Sequence, residues 1–290
     1  MQKNTLIYIM GAGRSGTTAL ATFLGSNKKI QNVGEMHQFF KYLEENKKCS
    51  CGEYLQKCEF WKNKINHLKK DSFSKNRTLS EKMESHFSIL KHFVNSFSNS
   101  NNIKYQELHK SVLDSIFLDT QKSILVDSSK YIGRALALNR LKNIDLKIIY
   151  VVRDVRGVIS SFSKNVQTPK SPISSIIYYL LVNLVSEFVS RFFLNRKTIK
   201  IRYEDLMQEP YQILEKIELF LKADFNDIKQ KIKKENSFKI GHIVGGNRIK
   251  EKKHIFFKYQ DRWRFNYSFL QRLVFYICAF PIMFLNKYKI

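Results

Sequence analysis

Residues 5–18 read TLIYIMGAGRSGTT, a buried-strand pattern that runs directly into a glycine-rich loop. The strand pattern covers Thr5–Met10, and the apolar spacing becomes helical through Ala19–Leu24. Glycines allow positive φ angles and a close backbone approach, so the N–H groups of such a loop and of the following helix can surround a phosphate. The order of strand, loop and helix therefore predicts an anion-binding site in an α/β fold. The glycines of the loop are Gly11, Gly13 and Gly16.

Three further apolar, β-branched runs are typical of buried parallel strands: Ser123–Val126, Lys147–Val152 and Thr198–Arg202. Helical patterns such as Lys130–Leu141 and Val155–Ser163 lie between them, so strands and helices alternate along the chain. We predict a P-loop-type, three-layer α/β/α fold with a central parallel sheet.

The length of 290 residues suits one large domain or two small ones, and a hydrophobic content of 43% excludes wholesale disorder. We predict a single domain over residues 1–290. Residues 41–122 contain no strong strand pattern and are rich in Lys, Ser and Asn, which predicts a mostly helical insertion. The insertion is either a plain surface excursion or a part of the protein that contacts substrate.

The chain is strongly basic, with 50 Lys and Arg against 25 Asp and Glu and a formal charge of +25. Such a field favours anionic partners, among them phosphorylated cofactors, acidic glycans, nucleic acid and membrane headgroups. A composition heavy in Lys, Asn and Ile also supplies part of this excess without any partner. Charge alone does not choose among these partners, so a binding claim needs a motif.

The glycine loop has Walker A spacing between Gly11 and Gly16, with Thr18 at the hydroxyl position. Thr17, however, stands where that motif has lysine, the residue that holds the β and γ phosphates. The cation of this loop is Arg14, two residues before Gly16. The exchange weakens the case for a nucleoside triphosphate and indicates a different anion.

A second motif follows the strand pattern Lys147–Val152. Arg153 stands at the strand end, and Ser161 lies eight positions later on the next helical pattern. A guanidinium at the carboxyl end of a strand and a hydroxyl from the following helix suit a terminal phosphate. The alternative is that Arg153 forms a salt bridge with Asp154 or Asp127.

The loop segment Arg14–Thr18, RSGTT, resembles the 5′-phosphosulfate-binding loop of sulfotransferases that use 3′-phosphoadenosine 5′-phosphosulfate (PAPS). Arg153 and Ser161 match the 3′-phosphate motif of that family, an arginine with a serine eight positions later. Arginine at the first loop position is the form of the Golgi carbohydrate and tyrosylprotein branches and their bacterial relatives. The resemblance implies PAPS as the donor, with a binding set of Gly11, Gly13, Arg14, Ser15, Gly16, Thr17, Thr18, Arg153 and Ser161.

Weaker resemblances extend along the chain. Residues 202–206, RYEDL, look like the segment that opens a late helix in many sulfotransferases. Residues 245–248, GGNR, followed by Lys250 and Trp263, resemble the segment that closes over the nucleotide in these enzymes. The usual proline after the asparagine is Arg248 here, so either Arg248 or Lys250 is expected to meet the 3′-phosphate.

Sulfuryl transfer requires the protein to cancel charge on the leaving phosphate and to accept a proton, and it needs no metal in principle. Arg14 and the loop N–H groups suit the first task, and Lys130 is a second candidate cation. Glu35, just past a short strand that ends in Val33 and Gly34, is the candidate base, because the tyrosylprotein branch carries its catalytic glutamate at a similar Gly-Glu. The alternative is that Glu35 merely pairs with Arg14 or Lys130.

The cysteines are Cys49, Cys51, Cys58 and Cys278, too few and too unevenly spread for the disulfide framework of a secreted domain. We therefore expect a reducing compartment and a cytoplasmic location. The first three cysteines raise the question of a zinc site with His37 or His67 as fourth ligand. Their spacing fits no standard zinc site, so the prediction is that the protein requires no metal.

Two apolar stretches bear on membrane contact. Residues 173–194 predict an amphipathic helix with three buried apolar sides and one polar stripe, formed by Asn183, Ser186, Glu187, Ser190 and Arg191. Leu273–Leu285, with Pro281 inside it, is shorter than the ~20 residues that a membrane span requires. This C-terminal run predicts either a core-packing helix or an interfacial helix that makes peripheral contact with the inner face of the membrane.

We predict a sulfotransferase that moves a sulfuryl group from PAPS to a hydroxyl, or an amine, of a carbohydrate or glycolipid. The alternative enzyme is a P-loop nucleotide or sugar kinase that uses Mg-ATP, with Asp127 or Asp154 as the Mg²⁺ ligand. The alternative from another class is a basic protein that binds a membrane surface or nucleic acid and has a degenerate nucleotide site. No nucleic-acid-binding motif occurs in the sequence, so no nucleic-acid partner is predicted.

Overall fold

The structure is a computed structural model that describes residues 4–94, 98–164, 168–246, 250, 252–256, 259 and 261–290, without the side chains of Phe87 and Asn99. The strands are β1 (Thr5–Met10), β2 (Ile30–Gly34), β3 (Ile124–Lys130), β4 (Asp145–Val152), β5 (Thr198–Arg202), β6 (Ser237–Lys239) and β7 (His254–Phe256). The α-helices are α1 (Thr17–Leu24), α2 (Phe39–Glu44), α3 (Glu59–Ile65), α4 (Phe73–Glu84), α5 (Ile89–Phe93), α6 (Asn99–Thr120), α7 (Ile132–Leu138), α8 (Val155–Phe162), α9 (Pro172–Phe192), α10 (Tyr203–Gln208), α11 (Pro210–Leu221), α12 (Asn226–Lys234), α13 (Trp263–Asn266), α14 (Phe269–Cys278) and α15 (Phe280–Leu285).

Strands β1 to β5 form one sheet in the order β2-β3-β1-β4-β5, and β6 pairs with β7 in a second, two-stranded sheet. The five-stranded sheet is parallel and flanked by helices, which confirms the predicted α/β fold with a central parallel sheet. Strands β1 and β4 are mostly buried apolar runs, as is typical of parallel strands that are covered on both faces. In β1 the side chains of Leu6, Ile7 and Ile9 have no exposed surface.

The bounds of β1 and β5 coincide with the predicted ones, whereas β3 continues past its apolar run to Lys130. The added residues Asp127, Ser128 and Ser129 are polar but fully buried. The backbone N–H of Ser129 donates to Asp127 Oδ1 at 2.9 Å, so the segment meets part of its hydrogen-bonding needs internally. A hydrophobic pattern cannot reveal such a strand end.

The chain divides into two compact units. The first comprises Met1–Ile9, Thr18–Ile148 and Phe238–Ile255, and the second comprises Met10–Thr17, Ile149–Ser237 and Phe256–Ile290. Within the first unit, helices α2 to α6 occupy the chain between β2 and β3, where the sequence predicts a helical insertion over residues 41–122. The assignment of residues 1–290 to a single domain stays a prediction.

Helix α9, in the second unit, buries Asn183, Ser186 and Glu187 of its polar stripe and exposes much of its apolar surface, so the prediction of three buried apolar sides is wrong. Asn183 Oδ1 accepts from the hydroxyl of Tyr150 in β4 at 2.9 Å, and Glu187 pairs with Lys200 in β5 at 2.7 Å. These contacts with the sheet stabilise the polar side chains of α9 in buried positions. The exposed apolar side chains are Ile173, Ile177, Leu181, Leu184, Phe188 and Phe192.

The C-terminal apolar run forms two helices, α14 and α15, that meet at Ala279. Pro281 lies in the first turn of α15, where its missing N–H costs no hydrogen bond. Both helices carry exposed apolar side chains, namely Phe269, Leu270, Val274, Ile277, Phe280, Phe284 and Leu285. Among the described residues, α9 alone is long and apolar enough to cross a membrane by length and composition, and 44% of its apolar window is buried.

Candidate active site

The loop after β1 has a backbone that only glycines permit at two positions. Gly11 has φ 142° and Gly16 has φ 87°, in the region that favours glycine. A Cβ atom on Gly11 would lie 2.3 Å from the carbonyl oxygen of Val151, and one on Gly16 would lie 2.3 Å from the ring of Tyr203. Helix α1 begins at Thr17, directly after this loop. The loop is therefore held closely by its surroundings and turns sharply into a helix start.

The second unit brings together three residues of the predicted donor site. Arg14 Nε donates to Ser161 Oγ at 2.8 Å, and Arg153 Nη1 donates to the carbonyl oxygen of Arg14 at 2.9 Å. Arg14 itself has φ 72°, which is uncommon for a residue with a side chain. Two guanidinium groups and one hydroxyl from three separate parts of the chain thus meet at the glycine loop.

The direct contacts of Arg153 are with neutral groups, although its charge also acts on the nearby carboxyl group of Glu204. Its guanidinium lies over the ring of Tyr203, 4.2 Å from the centroid, and its carbonyl oxygen accepts from the Tyr179 hydroxyl at 2.8 Å. A Cβ atom on Gly157 would lie 3.0 Å from Arg153 Nε, so the glycine leaves room for the guanidinium. Among the residues that the structure describes, Arg153 makes no salt bridge, so the pairing with Asp154 or Asp127 that the sequence left open is not formed.

Two polar atoms at the loop are suited to a bound anion. Ser15 Oγ and Arg153 Nε are buried and have no hydrogen-bond partner within the described part of the chain. Buried polar groups normally have partners, so each of these atoms has an unused donor. The N–H of Gly13 is already used, because it donates to the hydroxyl of Tyr178 on α9 at 2.8 Å. The residues present therefore fit a phosphorylated ligand held by hydroxyl and guanidinium donors.

The first unit contains Glu35 and Lys130, the predicted base and the second predicted cation. Glu35 follows β2 and is 4% exposed, and Lys130 Nζ donates to its Oε1. Its other oxygen, Oε2, accepts from Gln38 Nε2 at 2.9 Å, and its backbone N–H donates to the Val244 carbonyl oxygen at 2.7 Å. The pairing of Glu35 with Lys130 is thus observed, and it places a carboxylate beside an ammonium group in a largely buried setting.

Asp127 positions both members of this pair. Its Oδ1 accepts from the N–H of Met36, next to Glu35, at 3.4 Å and from the N–H of Ser129, next to Lys130, at 2.9 Å. Its Oδ2 accepts from Arg134 Nε at 2.9 Å. The sequence predicts Asp127 only as a metal ligand or as a partner of Arg153. The signal for its positioning role was the polar DSS segment at the end of an apolar strand.

Arg134 extends this network into the helices between β2 and β3. The fully buried guanidinium donates to Glu84 Oε1, which also accepts from the Tyr105 hydroxyl at 2.8 Å. Burial raises the pKa of Glu84 to about 7, although the positive charge of Arg134 opposes this shift. The helices α4 and α6 therefore have a direct hydrogen-bonded connection to the residue that positions Glu35 and Lys130.

Two histidines pack against Tyr131, the residue after Lys130. The rings of His37 and His86 each lie 4.5 Å from the Tyr131 ring. Burial, followed by the charges of Lys130 and Arg134, holds the pKa of His37 well below its usual range, and burial lowers the pKa of His86 to about 4. Both imidazoles are therefore neutral at physiological pH.

The segment 202–206 supports the donor loop from β5. Tyr203 packs against Gly16 and Arg153, as described above. Glu204 Oε1 accepts from the N–H of Asp154 at 3.1 Å, and its Oε2 accepts from the Tyr288 hydroxyl at 2.8 Å. Burial raises the pKa of this carboxyl group. Asp154 in turn pairs with Arg156 at 2.6 Å.

The segment predicted to close over the nucleotide is described in part. Arg248 lies outside the described residues. Lys250 Nζ donates to the hydroxyl of Tyr42 at 3.2 Å. A Cβ atom on Gly245, which has φ 64°, would lie 2.8 Å from the Cβ of Glu35, so this segment packs closely on the candidate base. In the second unit, Trp263 lies under the guanidinium of Arg156, 4.4 Å from the ring centroid.

Comparison with known proteins gives one family match. Residues 7–227 match the model of the sulfotransferase family. The solved structures that resemble the chain include the sulfotransferase domain from the curacin biosynthetic pathway, at 21% identity, coverage of 79% of this chain and 77% of that one, and a TM-score of 0.49. Mouse sulfotransferase SULT7A1 complexed with PAP resembles it at 13% identity, coverage of 97% and 85%, and a TM-score of 0.48. No curated protein matches the sequence.

Proposed function

The chain belongs to the sulfotransferase family, and we propose that it transfers a sulfuryl group from PAPS to a hydroxyl, or less readily an amine, of a carbohydrate or glycolipid. The observation that carries the proposal is the meeting of Arg14, Arg153 and Ser161 at a glycine loop that lacks the Walker lysine. PAPS carries phosphate at both ends, and this loop offers hydroxyl and guanidinium donors rather than the point charge that a triphosphate requires.

Donor binding is assigned to the residues that follow β1 and β4. The loop N–H groups, Ser15 and Arg14 hold the 5′-phosphosulfate, and Arg153 with Ser161 holds the 3′-phosphate. The unpartnered Ser15 Oγ and Arg153 Nε supply donors for these contacts. Tyr203 and Tyr178 keep the loop and the guanidinium in place before the donor arrives. Such preorganisation lowers the reorganisation that binding requires.

The transfer step is assigned to Glu35 and Lys130. The acceptor oxygen forms a bond to sulfur while the bond from sulfur to the 5′-phosphate oxygen breaks, and the acceptor proton passes to the carboxylate of Glu35. Lys130 pairs with the carboxylate of Glu35 before the donor binds. As negative charge develops on the leaving phosphate, Lys130 stabilises that charge and frees Glu35 to accept the proton. The step balances without a metal.

The kinase alternative finds less support in the side chains. It requires Asp127 or Asp154 as a Mg²⁺ ligand. Asp127 is fully buried and paired with Arg134 at 2.9 Å, and Asp154 is 4% exposed and paired with Arg156 at 2.6 Å. A carboxylate engaged by a buried arginine would have to break that ion pair to bind a cation.

The acceptor and the branch of the family rest on fewer observations. Arg14 at the first loop position and Glu35 after Gly34 favour the Golgi carbohydrate and tyrosylprotein branches and their bacterial relatives. The charge of +25 favours an acidic acceptor or one presented at an anionic surface. These two features support a carbohydrate or glycolipid acceptor over a neutral small molecule.

We assign the protein to the cytoplasm, in peripheral contact with the inner face of the membrane. The four cysteines are free thiols, as a reducing compartment requires. The exposed apolar side chains of α14 and α15 suit an interfacial position, with Arg272, Lys287 and Lys289 near them to meet anionic headgroups. Flotation of the protein with phosphatidylglycerol vesicles tests this contact, and a Phe280→Ser/Phe284→Ser variant should stay unbound.

The function itself is tested by incubating the protein with ³⁵S-labelled PAPS and a panel of glycans and glycolipids. Mass spectrometry should detect one acceptor whose mass increases by one sulfuryl group. An Arg153→Ala variant should give no product under the same conditions. Hydrolysis or phosphorylation with Mg-ATP, in place of sulfation, would support the kinase alternative and contradict the proposal.

A further inference from the structure

Four potential metal ligands meet in the first unit, in a part of the chain that the transfer reaction does not use. They are Cys49, Cys51, Cys58 and His242, and their ligand atoms all lie within 4.8 Å of one another. The sulfur atoms of Cys51 and Cys58 are 3.6 Å apart, and Cys58 Sγ is 3.3 Å from His242 Nδ1. Neither sulfur is in a disulfide.

These separations are those of ligands around a tetrahedral zinc ion. Zn–S bonds of about 2.3 Å and Zn–N bonds of about 2.0 Å place neighbouring sulfurs about 3.8 Å apart and a sulfur about 3.5 Å from a nitrogen. The two observed distances lie close to these values. A disulfide, by contrast, would need an S–S separation of about 2.0 Å. Thiolate and imidazole ligands in this number are the donor set that zinc prefers.

Hydrogen bonds connect the segment that carries Cys49 and Cys51 to the segment that carries His242. Ser50, between the first two cysteines, donates from its hydroxyl to the Gly241 carbonyl at 2.6 Å and accepts from the Ile243 N–H at 2.8 Å. Its own N–H donates to the Ile243 carbonyl at 3.3 Å. These three hydrogen bonds clamp the cysteine turn to the two neighbours of His242. The imidazole of His242 also stacks on Phe60, with an angle of 16° between the rings.

Cys49 and Cys51 themselves lie on a tight turn. The N–H of Cys49 donates to the Glu53 carbonyl at 2.8 Å, and the N–H of Gly52 donates to the Cys49 carbonyl at 3.0 Å. Gly52 has φ 96°, a conformation that glycine adopts without strain. The turn brings two sulfurs to one side over three residues. The third sulfur, Cys58, comes from the residue before α3, whose carbonyl oxygen accepts from the N–H groups of Trp61 at 2.9 Å and Lys62 at 2.8 Å.

We propose that Cys49, Cys51, Cys58 and His242 bind one zinc ion as a structural Cys₃His site. The proposal departs from the sequence prediction of no metal. That prediction considered only His37 and His67 as the fourth ligand, whereas His242 lies 184 residues from Cys58. In the structure His37 packs on Tyr131, and His67 is hydrogen-bonded to Ser111 at 3.0 Å.

The metal has a consequence for the candidate base. Residues 241–246 carry His242 at one end and pack on Glu35 at the other, through the Val244 carbonyl and through Gly245. A zinc ion at His242 therefore anchors the segment that borders Glu35. The site is a closed, four-ligand one, so its role is to stabilise the fold rather than to activate water.

The test measures metal content and needs neither donor nor acceptor, so its failure is separate from a failure of the proposed function. The full chain is expressed with zinc in the medium and purified with a thiol reductant, and zinc is quantified by mass spectrometry. The proposal expects one zinc per chain. Replacement of zinc by Co²⁺ should give the visible d–d bands of a tetrahedral ion together with a thiolate charge-transfer band.

Matched variants decide the outcome. Cys51→Ser and His242→Ala change side chains that are not fully buried, and each should lower zinc affinity at least about tenfold. Cys278→Ser removes the exposed cysteine outside the cluster and should keep both the zinc and the cobalt spectrum. Substoichiometric zinc in the reduced wild-type chain, or a His242→Ala variant with wild-type affinity and spectrum, would overturn the proposal. A Cys51–Cys58 disulfide in the reduced preparation would overturn it as well.

Discussion

The donor loop and the Glu35–Lys130 pair use their positive charges in different ways. Arg153, at the loop, is held by a carbonyl oxygen and an aromatic ring and makes no salt bridge among the described residues. Lys130 is held by a carboxylate, and so is Arg134, which is connected to it through Asp127. The first region keeps a cation available for an anion. The second region already balances its charges.

This difference separates binding from chemistry. A guanidinium that is fixed by neutral contacts and makes no direct salt bridge keeps N–H donors for a phosphate. When the ammonium group of such a pair stabilises the leaving phosphate instead, the carboxylate is free to accept a proton from the acceptor. Substitutions in the first region should therefore change donor affinity, and those in the second should change turnover.

The largest effect is expected at Glu35. Glu35→Gln keeps the shape and the hydrogen bond to Gln38 but cannot accept a proton, so kcat should fall by about 10²- to 10⁴-fold. Affinity for adenosine 3′,5′-bisphosphate should stay within about twofold, because the residue does not serve the donor loop. Steady-state sulfation rates and calorimetric titration measure the two quantities. Wild-type turnover in Glu35→Gln would contradict the assignment of proton transfer to Glu35.

The converse effect is expected at Arg153. Arg153→Ala removes charge-assisted hydrogen bonds that contribute about 1.5–3 kcal/mol, so affinity for the bisphosphate should fall by about 10- to 150-fold. Arg153→Lys keeps the charge but loses the planar guanidinium, so its affinity for the bisphosphate should lie between those of the wild type and Arg153→Ala. Arg196→Ala, at an exposed arginine, is the control and should bind as wild type does. Equal affinity in Arg153→Ala and Arg196→Ala would contradict the assignment of the loop.

Acid should destabilise the region around Lys130 through His86. Burial lowers the pKa of His86 to about 4, so its contribution to stability is present above its unfolded pKa near 6.5 and is lost as the pH falls toward 4. Between about pH 7 and about pH 5 this histidine should lower the free energy of unfolding by about 2 kcal/mol. His86→Phe keeps a ring against Tyr131 but cannot take up a proton. This variant should therefore lose about 2 kcal/mol less unfolding free energy than the wild type between these two pH values. Denaturant titrations at both pH values measure it, and an unchanged pH dependence would contradict the buried neutral histidine.

The smallest effect is expected at Gly157. Gly157→Ala places a Cβ atom 3.0 Å from Arg153 Nε, which displaces the guanidinium by a few tenths of an ångström. Bisphosphate affinity should fall about threefold, the scale of a weakened rather than a lost hydrogen bond. Alanine favours a helix interior by about 1 kcal/mol over glycine, so the melting temperature should not fall. Lower stability with unchanged affinity would show that Gly157 serves the helix instead of Arg153.

The sequence was sufficient for features that are local. The apolar run Thr5–Met10, the glycine spacing after it and the arginine at the end of β4 are all readable within about ten residues, and they predict the strand, the loop and the fold class. The same holds for β5, whose bounds coincide with the predicted ones. Such patterns follow from burial and from backbone geometry, which act on neighbouring residues.

The missed features depend on partners far away in the chain. Helix α9 turns its polar stripe inward because Asn183 and Glu187 find Tyr150 and Lys200 on the sheet, and a helical pattern does not show which polar residues have buried partners. Asp127 positions Met36 from 91 residues away. His242 joins the cysteines from a distance that no spacing rule covers. Each of these contacts is set by packing of the folded chain, which one-dimensional patterns do not encode.

The nucleotide that the glycine loop binds is measured by a calorimetric titration with adenosine 3′,5′-bisphosphate in Mg²⁺-free buffer, beside a titration with ATP in the presence of Mg²⁺. A chelator is omitted so that a zinc site stays intact. We expect saturable binding of the bisphosphate without Mg²⁺ and at least about tenfold weaker binding of Mg-ATP, because two guanidinium groups and no Walker lysine serve the loop. Tight, Mg²⁺-dependent binding of ATP with no affinity for the bisphosphate would contradict it.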